Sequence, residues 1–253
     1  QMCIRDSNKG DDSIGLTMGP NIADWPEMQP LTRHLLLKTA GSYHGSVTTD
    51  ELVPSGEASS FRSNPEKISE YTMISRDPEY VGRAKAVRAL EQSRRGQAGG
   101  TVQNGDGELD NLLAKLTEEL HCAASDITLG SLMVSDKIGD GSSREQAASC
   151  QKVLGGLANI CIEYATKRYR SNCVNWGMLP FTYPDDNINL EVGEYVYLPG
   201  IRKAVEEGAT RFEATIIGKD GSTRTMELEL NGVSEAEKKV LLAGSLINSY
   251  KAE

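Results

Sequence analysis

The chain has 253 residues, 38% of them hydrophobic and 25% charged, with a formal charge of −9. That length allows one large domain or two small ones around a real core. The acidic balance, with no Lys/Arg cluster, argues against a nucleic-acid binder, and no apolar run approaches the length of a membrane span.

In chain order, residues 1–7 read as a non-native start. They carry neither a signal nor a transit pattern, and Met2-Cys3-Ile4-Arg5-Asp6-Ser7 resembles translated sequencing-adapter read-through. Residues 8–30 are polar and punctuated by Gly and Pro, as expected of an interdomain linker laid on a surface, so residues 1–30 are set apart from a domain over 31–253. Leu35-Leu36-Leu37 predicts a short buried strand. A long polar loop through Glu57–Pro65 follows, of the kind that is either functional or disordered. Val81, Ala84, Val87 and Leu90 give Glu79–Arg95 helical spacing. Gly96–Gly107 is expected to be a flexible insertion. Leu109, Leu112, Leu113, Leu116 and Leu120 form the cleanest amphipathic helix.

Strands are predicted at Ile127–Val134, Leu157–Ile162 and Met178–Tyr183, with a basic helix over Glu163–Asn172; Tyr195–Leu198 precedes a short helical piece up to Gly208. Phe212, Ala214 and Ile216, then Met226, Leu228 and Leu230, alternate with polar residues across the Lys219-Asp220-Gly221 turn, which predicts a hairpin. Ser234 and Glu237 form a capping box for a last helix over Glu235–Tyr250. The mixed order predicts an α/β or α+β domain of about five to eight strands, a layered sheet with flanking helices and a late antiparallel hairpin.

The five cysteines, Cys3, Cys122, Cys150, Cys161 and Cys173, are scattered and lack C-x-x-C spacing, which suits free thiols in a reducing cytoplasm. His34, His44 and His121 are isolated, and no metal-ligand pattern is present.

One stretch stands apart from this background: Ile138-Gly139-Asp140-Gly141-Ser142-Ser143-Arg144-Glu145. A Gly-rich turn that opens a helix presents free N–H groups and the positive dipole end, and Ser142, Ser143 and Arg144 suit it to a carboxylate or phosphate. It is not the dinucleotide fingerprint, because Arg144 takes the third glycine position, nor a Walker loop, nor a G-x-S-x-G elbow. The plainer alternative is an ordinary N-cap made by Ser142 or Ser143.

That stretch lines up with other segments in one order. Thr48-Thr49-Asp50, Phe61-Arg62, Gly139–Glu145, Leu154-Gly155-Gly156, Trp176-Gly177-Met178-Leu179-Pro180-Phe181 and Ala243–Asn248 together resemble the C-terminal swivel domain of aconitase-type hydro-lyases, from about Leu31 onward. The resemblance implies that Ser142 is the catalytic base, that Arg62, Ser143 and Arg144 hold substrate carboxylates, and that Asp50 supports the site. It also implies a 4Fe–4S cluster in preceding domains and none in this chain, with those domains and a small tricarboxylate or hydroxy acid as partners. Glu51 and Gln146 stand where family members carry His, which marks a divergent branch. The expected function is a fragment of a citrate/isocitrate-type hydro-lyase, inactive alone. Two alternatives remain: a free-standing swivel subunit or degenerate homologue acting as an interaction module, and a serine hydrolase built on Ser142.

Overall fold

The computed structural model describes residue 15 and residues 17–54, 56, 58–96 and 107–251. The predicted Gly96–Gly107 insertion falls almost wholly outside them. Four strands, β1 (His34–Thr48), β2 (Ile127–Asp140), β3 (Gly156–Tyr164) and β4 (Leu179–Thr182), pair in parallel as consecutive neighbours. Three antiparallel strands, β5 (Tyr195–Leu198), β6 (Arg211–Ile217) and β7 (Thr223–Glu229), carry the sheet back: β5 pairs β1, β6 pairs β5, and β7 meets β4 at Thr182↔Glu229. The sheet is therefore a closed barrel, ordered β1-β2-β3-β4-β7-β6-β5; the mixed α/β class, flanking helices and late hairpin are as expected, and closure is what the expected layered sheet left unstated.

Burial explains both the closure and its invisibility in the sequence. Leu35, Leu37, Leu132, Val134, Ile160, Phe181, Val196, Ala214, Ile216 and Leu228 come from all seven strands and share one fully enclosed cluster. Their neighbours point outward. Met133 and Cys161 lie under one set of helices, and Leu36, Ile127 and Leu129 under another. Strands buried on both faces read as continuous apolar runs, and such a run does not say whether the sheet behind it closes. β6 and β7 keep the alternating pattern.

The helices between the first four strands are α1 (Thr49–Leu52), α2 (Pro65–Ser69), α3 (Tyr80–Arg94), α4 (Gly107–Leu120), α5 (Arg144–Val153) and α6 (Lys167–Asn175). α4 packs Leu109, Leu113 and Leu116 over Leu36, Ile127 and Tyr195, as its leucine stripe predicts. The long polar loop is partly ordered into a 3₁₀ turn at Ser59–Phe61 and into α2, capped by the Asn64 side chain. β1, β2 and β3 run past the predicted strand ends, so α6 begins only at Lys167, after the Thr166 cap.

α7 (Ile201–Glu207), α8 (Glu235–Ala243) and α9 (Leu246–Lys251) close one end. The predicted single terminal helix is broken at Gly244, which has φ 83° and caps α8. A side chain there would overlap the Gln29 carbonyl, so residues of the N-terminal segment pass directly against this break. The same segment is tied down by Asn248 donating to the Met28 carbonyl (2.8 Å), by the Leu31 N–H on the Leu242 carbonyl and by Trp25 packed on Trp176.

The hairpin is locked to β5 by one ion pair. Arg224 donates to both carboxylate oxygens of Glu194 at 2.7 Å, and the Glu191 N–H adds a third bond. The Arg224 guanidinium, foremost, holds the Glu194 carboxyl below its usual range. Because its folded value is depressed, Glu194 contributes stability above the ordinary glutamate value near 4.5, and that contribution is lost as pH falls through its folded value. Arg224→Met should cost about 1–2 kcal/mol at neutral pH, the guanidinium being partly exposed, and should flatten the acid limb of stability against pH, measured by urea melts between neutrality and mild acid.

Candidate functional site

Parallel pairing places Thr48, at the end of β1, opposite Asp140, at the end of β2. α1 opens directly after Thr48 and α5 shortly after Asp140, so Asp50 and Ser142–Arg144 project from the carboxyl edge of adjacent parallel strands. Parallel strands flanked by helices, in open sheets and in barrels alike, bind ligands at this edge. Gly139 and Gly141 both have positive φ, 89° and 131°. A Cβ on Gly141 would overlap Thr49 Oγ1, and one on Gly139 would enter the Tyr169 ring. The two glycines thus let the turn after β2 lie on α1 on one side and α6 on the other.

Ser143 is the N-cap residue of α5 (φ −84°, ψ 44°), yet its side chain makes no capping bond. Ser142 is exposed, and neither hydroxyl is hydrogen-bonded among the described residues. The plain capping role is therefore not the one these serines perform. Arg144 is half-buried, and its Nε is fully buried without a hydrogen-bond partner. A buried guanidinium N–H left unpaired is costly, and an anion seated there would relieve the cost.

Glu145, in the first turn of α5, accepts from Trp176 Nε1 (2.7 Å) and from Asn172 Nδ2 of α6. These bonds hold the opening of α5 to the end of α6. Behind it, Gln151, Asn159 and Tyr169 form a buried polar network: Asn159 Nδ2 donates to Gln151 Oε1 (3.3 Å), and Tyr169 Oη donates to the same oxygen.

Asp50 is exposed in the first turn of α1. Glu51, where the resemblance leads one to expect His, is a structural residue. Its carboxylate accepts from the Thr48 N–H (2.6 Å) and Oγ1 (2.9 Å) in a capping box and pairs with Arg76 at 3.2 Å. Arg62 is exposed just after the Ser59–Phe61 turn and makes no hydrogen bond or ion pair among the described residues. Its neighbour Phe61 belongs to the apolar cluster of Ala147, Ala148 and Trp176, so the Arg62 loop is anchored beside α5, while no bond carries its side chain to Ser142.

Among the described residues no three His, Cys, Asp or Glu side chains converge. Burial pushes the Cys150 and Cys173 thiols up to about 12 and raises Cys161 as well, the opposite of what a thiolate ligand requires. A 4Fe–4S cluster does not fit these residues. His34 accepts from the Gly200 N–H, and His44 faces Asp136, so each is occupied away from Ser142. Nothing in the sequence singles out Glu145 as a tether or Lys152 as a buried lysine; tertiary neighbours alone reveal them.

Residues 81–186 match the aconitase C-terminal domain. Over that stretch the chain is similar to an aconitase-type C-terminal domain. The match includes Gly139–Glu145 and Trp176–Phe181 but stops short of Asp50 and Arg62. The chain is 23% identical over 231 residues to aconitate hydratase A of Rickettsia felis, covering 83% of this chain and 25% of that protein. It is 25% identical over 219 residues to the mitochondrial aconitate hydratase of Gracilaria gracilis, again over 83% of this chain and 24% of that one. It thus spans about a quarter of the curated relatives it matches. The 3-isopropylmalate dehydratase structure from Methanocaldococcus jannaschii shares the fold, with a TM-score of 0.52 and 19% identity over 87% of this chain and 94% of that one.

Gly141→Ala should force the turn off α1. The strain at positive φ alone costs roughly 1–3 kcal/mol, and the overlap with Thr49 adds to it. A lowered urea midpoint at unchanged m-value would be the expected result, and unaltered stability would mean that the turn does not rest on α1.

Proposed function

We propose that this domain supplies the base and carboxylate-binding groups of a hydro-lyase acting on a citrate- or isocitrate-like hydroxy acid, working against domains outside this chain. The observation that carries the reading is the pair of unbonded serine hydroxyls at the opening of α5 beside the unpartnered, buried Nε of Arg144. Removing a proton from a carbon next to a carboxylate builds negative charge on that carboxylate, and preorganised donors aimed at it are each worth ~10²–10³ in rate. Ser142 acts as the base through its alkoxide, stabilised by the adjacent Arg144 and the α5 N-terminus. Ser143, Arg144 and Arg62 hold carboxylates, and Asp50 supports the opposite wall from α1. Arg62 reaches the substrate only when its loop closes against the partner domains.

By resemblance, a 4Fe–4S cluster belongs to the preceding domains, and the steps assigned to this chain do not involve it. The free thiols of Cys122, Cys150, Cys161 and Cys173 favour a reducing compartment, and we place the enzyme in the cytoplasm. Among the described residues no helix is long and apolar enough to cross a membrane.

A second arrangement has its own support: the chain covers 94% of the dehydratase chain whose fold it shares. A separate swivel subunit docking on a large subunit would use the same residues. Co-expression as two polypeptides separates the cases, since only a subunit restores activity without a covalent link.

In the complete enzyme, Ser142→Ala should lower kcat by ~10²–10⁴ and leave KM near its original value. Arg62→Lys keeps the charge but loses the planar fork, so KM should rise. Steady-state kinetics on both variants test the roles. Turnover by the alanine variant above about a tenth of the original rate, far from the loss expected for a general base, would remove Ser142 as the base.

A further inference from the structure

A second feature of α5 lies away from its opening. Lys152 is 8% exposed, and its Nζ has no hydrogen bond or ion pair among the described residues. At 1.5 Å per residue it sits ~12 Å along the helix from Arg144, so it does not belong to the serine–arginine site. It lines a cavity of about 120 Å³ bounded by residues 26–31, α3 and α5.

The other charges on that wall are already matched. Arg88 donates to Glu66 and to the Val153 carbonyl, while Glu91 accepts from Arg94 and Arg95. Glu27, on the covering segment, is exposed and does not pair with Lys152. Burial alone lowers the Lys152 amine to about 8, so it is still mostly protonated at neutral pH, in a place where an unpaired ammonium is costly. The rest of the lining is largely aliphatic, with Pro26, Met28, Leu129, Val153 and Leu157.

From this geometry we infer that the cavity is a second ligand site, one that takes a short-chain aliphatic monocarboxylate with its carboxylate on Lys152 Nζ and its tail against Met28, Leu129 and Leu157. The size admits such a ligand: an apolar cavity of ~150 Å³ takes a benzene-sized molecule, and this one is about 120 Å³. A second carboxylate would have to displace Glu66 from Arg88 or Glu91 from Arg95, the other cations on the lining.

The probe is isotopically labelled butyrate, offered to the 253-residue chain in equilibrium dialysis at constant ionic strength. Saturable binding of one equivalent, unaffected by butyramide, is expected; no binding, or binding that never saturates, overturns the site. Lys152→Met should weaken butyrate binding at least about tenfold while raising the melting temperature of the unliganded chain, because a buried unpaired charge is exchanged for an apolar side chain. Retained affinity in a folded variant overturns the assignment of Lys152. Should that variant not fold, the wild-type chain still decides the matter: bound butyrate should slow carbamylation of Lys152 by cyanate, read by mass spectrometry, and an unchanged rate overturns the proposal. Equal protection by sulfate at matched ionic strength would show a general anion effect and overturn it too.

Discussion

Most of this structure depends on the register between two parallel strands. β1 and β2 pair along nearly their whole length, through several bulges, and finish together at Thr48↔Asp140. The chain after β1 is thereby folded back so that two helix openings emerge side by side. Parallel pairing demands a crossover, and the crossover helices supply the outer apolar layers that bury the strands' second face. The barrel core and the carboxyl edge therefore arise from one arrangement.

The edge is held to close tolerance by absent side chains and by one carboxylate. Gly139 and Gly141 leave room for the Tyr169 ring and for Thr49, which brings the turn within backbone distance of both flanking helices. Glu145 then anchors the first turn of α5 to Trp176 and Asn172. With the helix opening fixed from three directions, Ser142 and Ser143 need not cap it. Their hydroxyls and the buried Arg144 Nε stay available, which is the condition for preorganised binding of a carboxylate.

The same helix has two ends with different chemistry. Its opening meets the strand edge, while its last turn, with Lys152, faces the cavity under residues 26–31. Those residues also press on the Gly244 break between α8 and α9 and stack Trp25 on Trp176. The N-terminal segment is thus packed against both the last helices and the tether of the α5 opening, so a ligand beneath it would act on a region shared by both.

Much was legible in the residues themselves. The leucine stripe of α4, the alternation of β6 and β7 and the Ser234–Glu237 capping box are local patterns whose physics lies within a few residues. The Gly-Ser-Ser-Arg turn suggested an anion site through residue type and spacing, and its company of ordered segments resembled the aconitase C-terminal domain. Closure of the sheet, the break at Gly244, the cap formed by Glu51 with Arg76 and the solitary burial of Lys152 were not legible. Each is decided by a neighbour distant in the chain: β7 reaching β4, the Gln29 carbonyl against Gly244, Arg76 against Glu51, the covering segment over Lys152. Periodicity reports which face of an element is apolar, and only the tertiary structure decides what that face, or a charge beside it, finally meets.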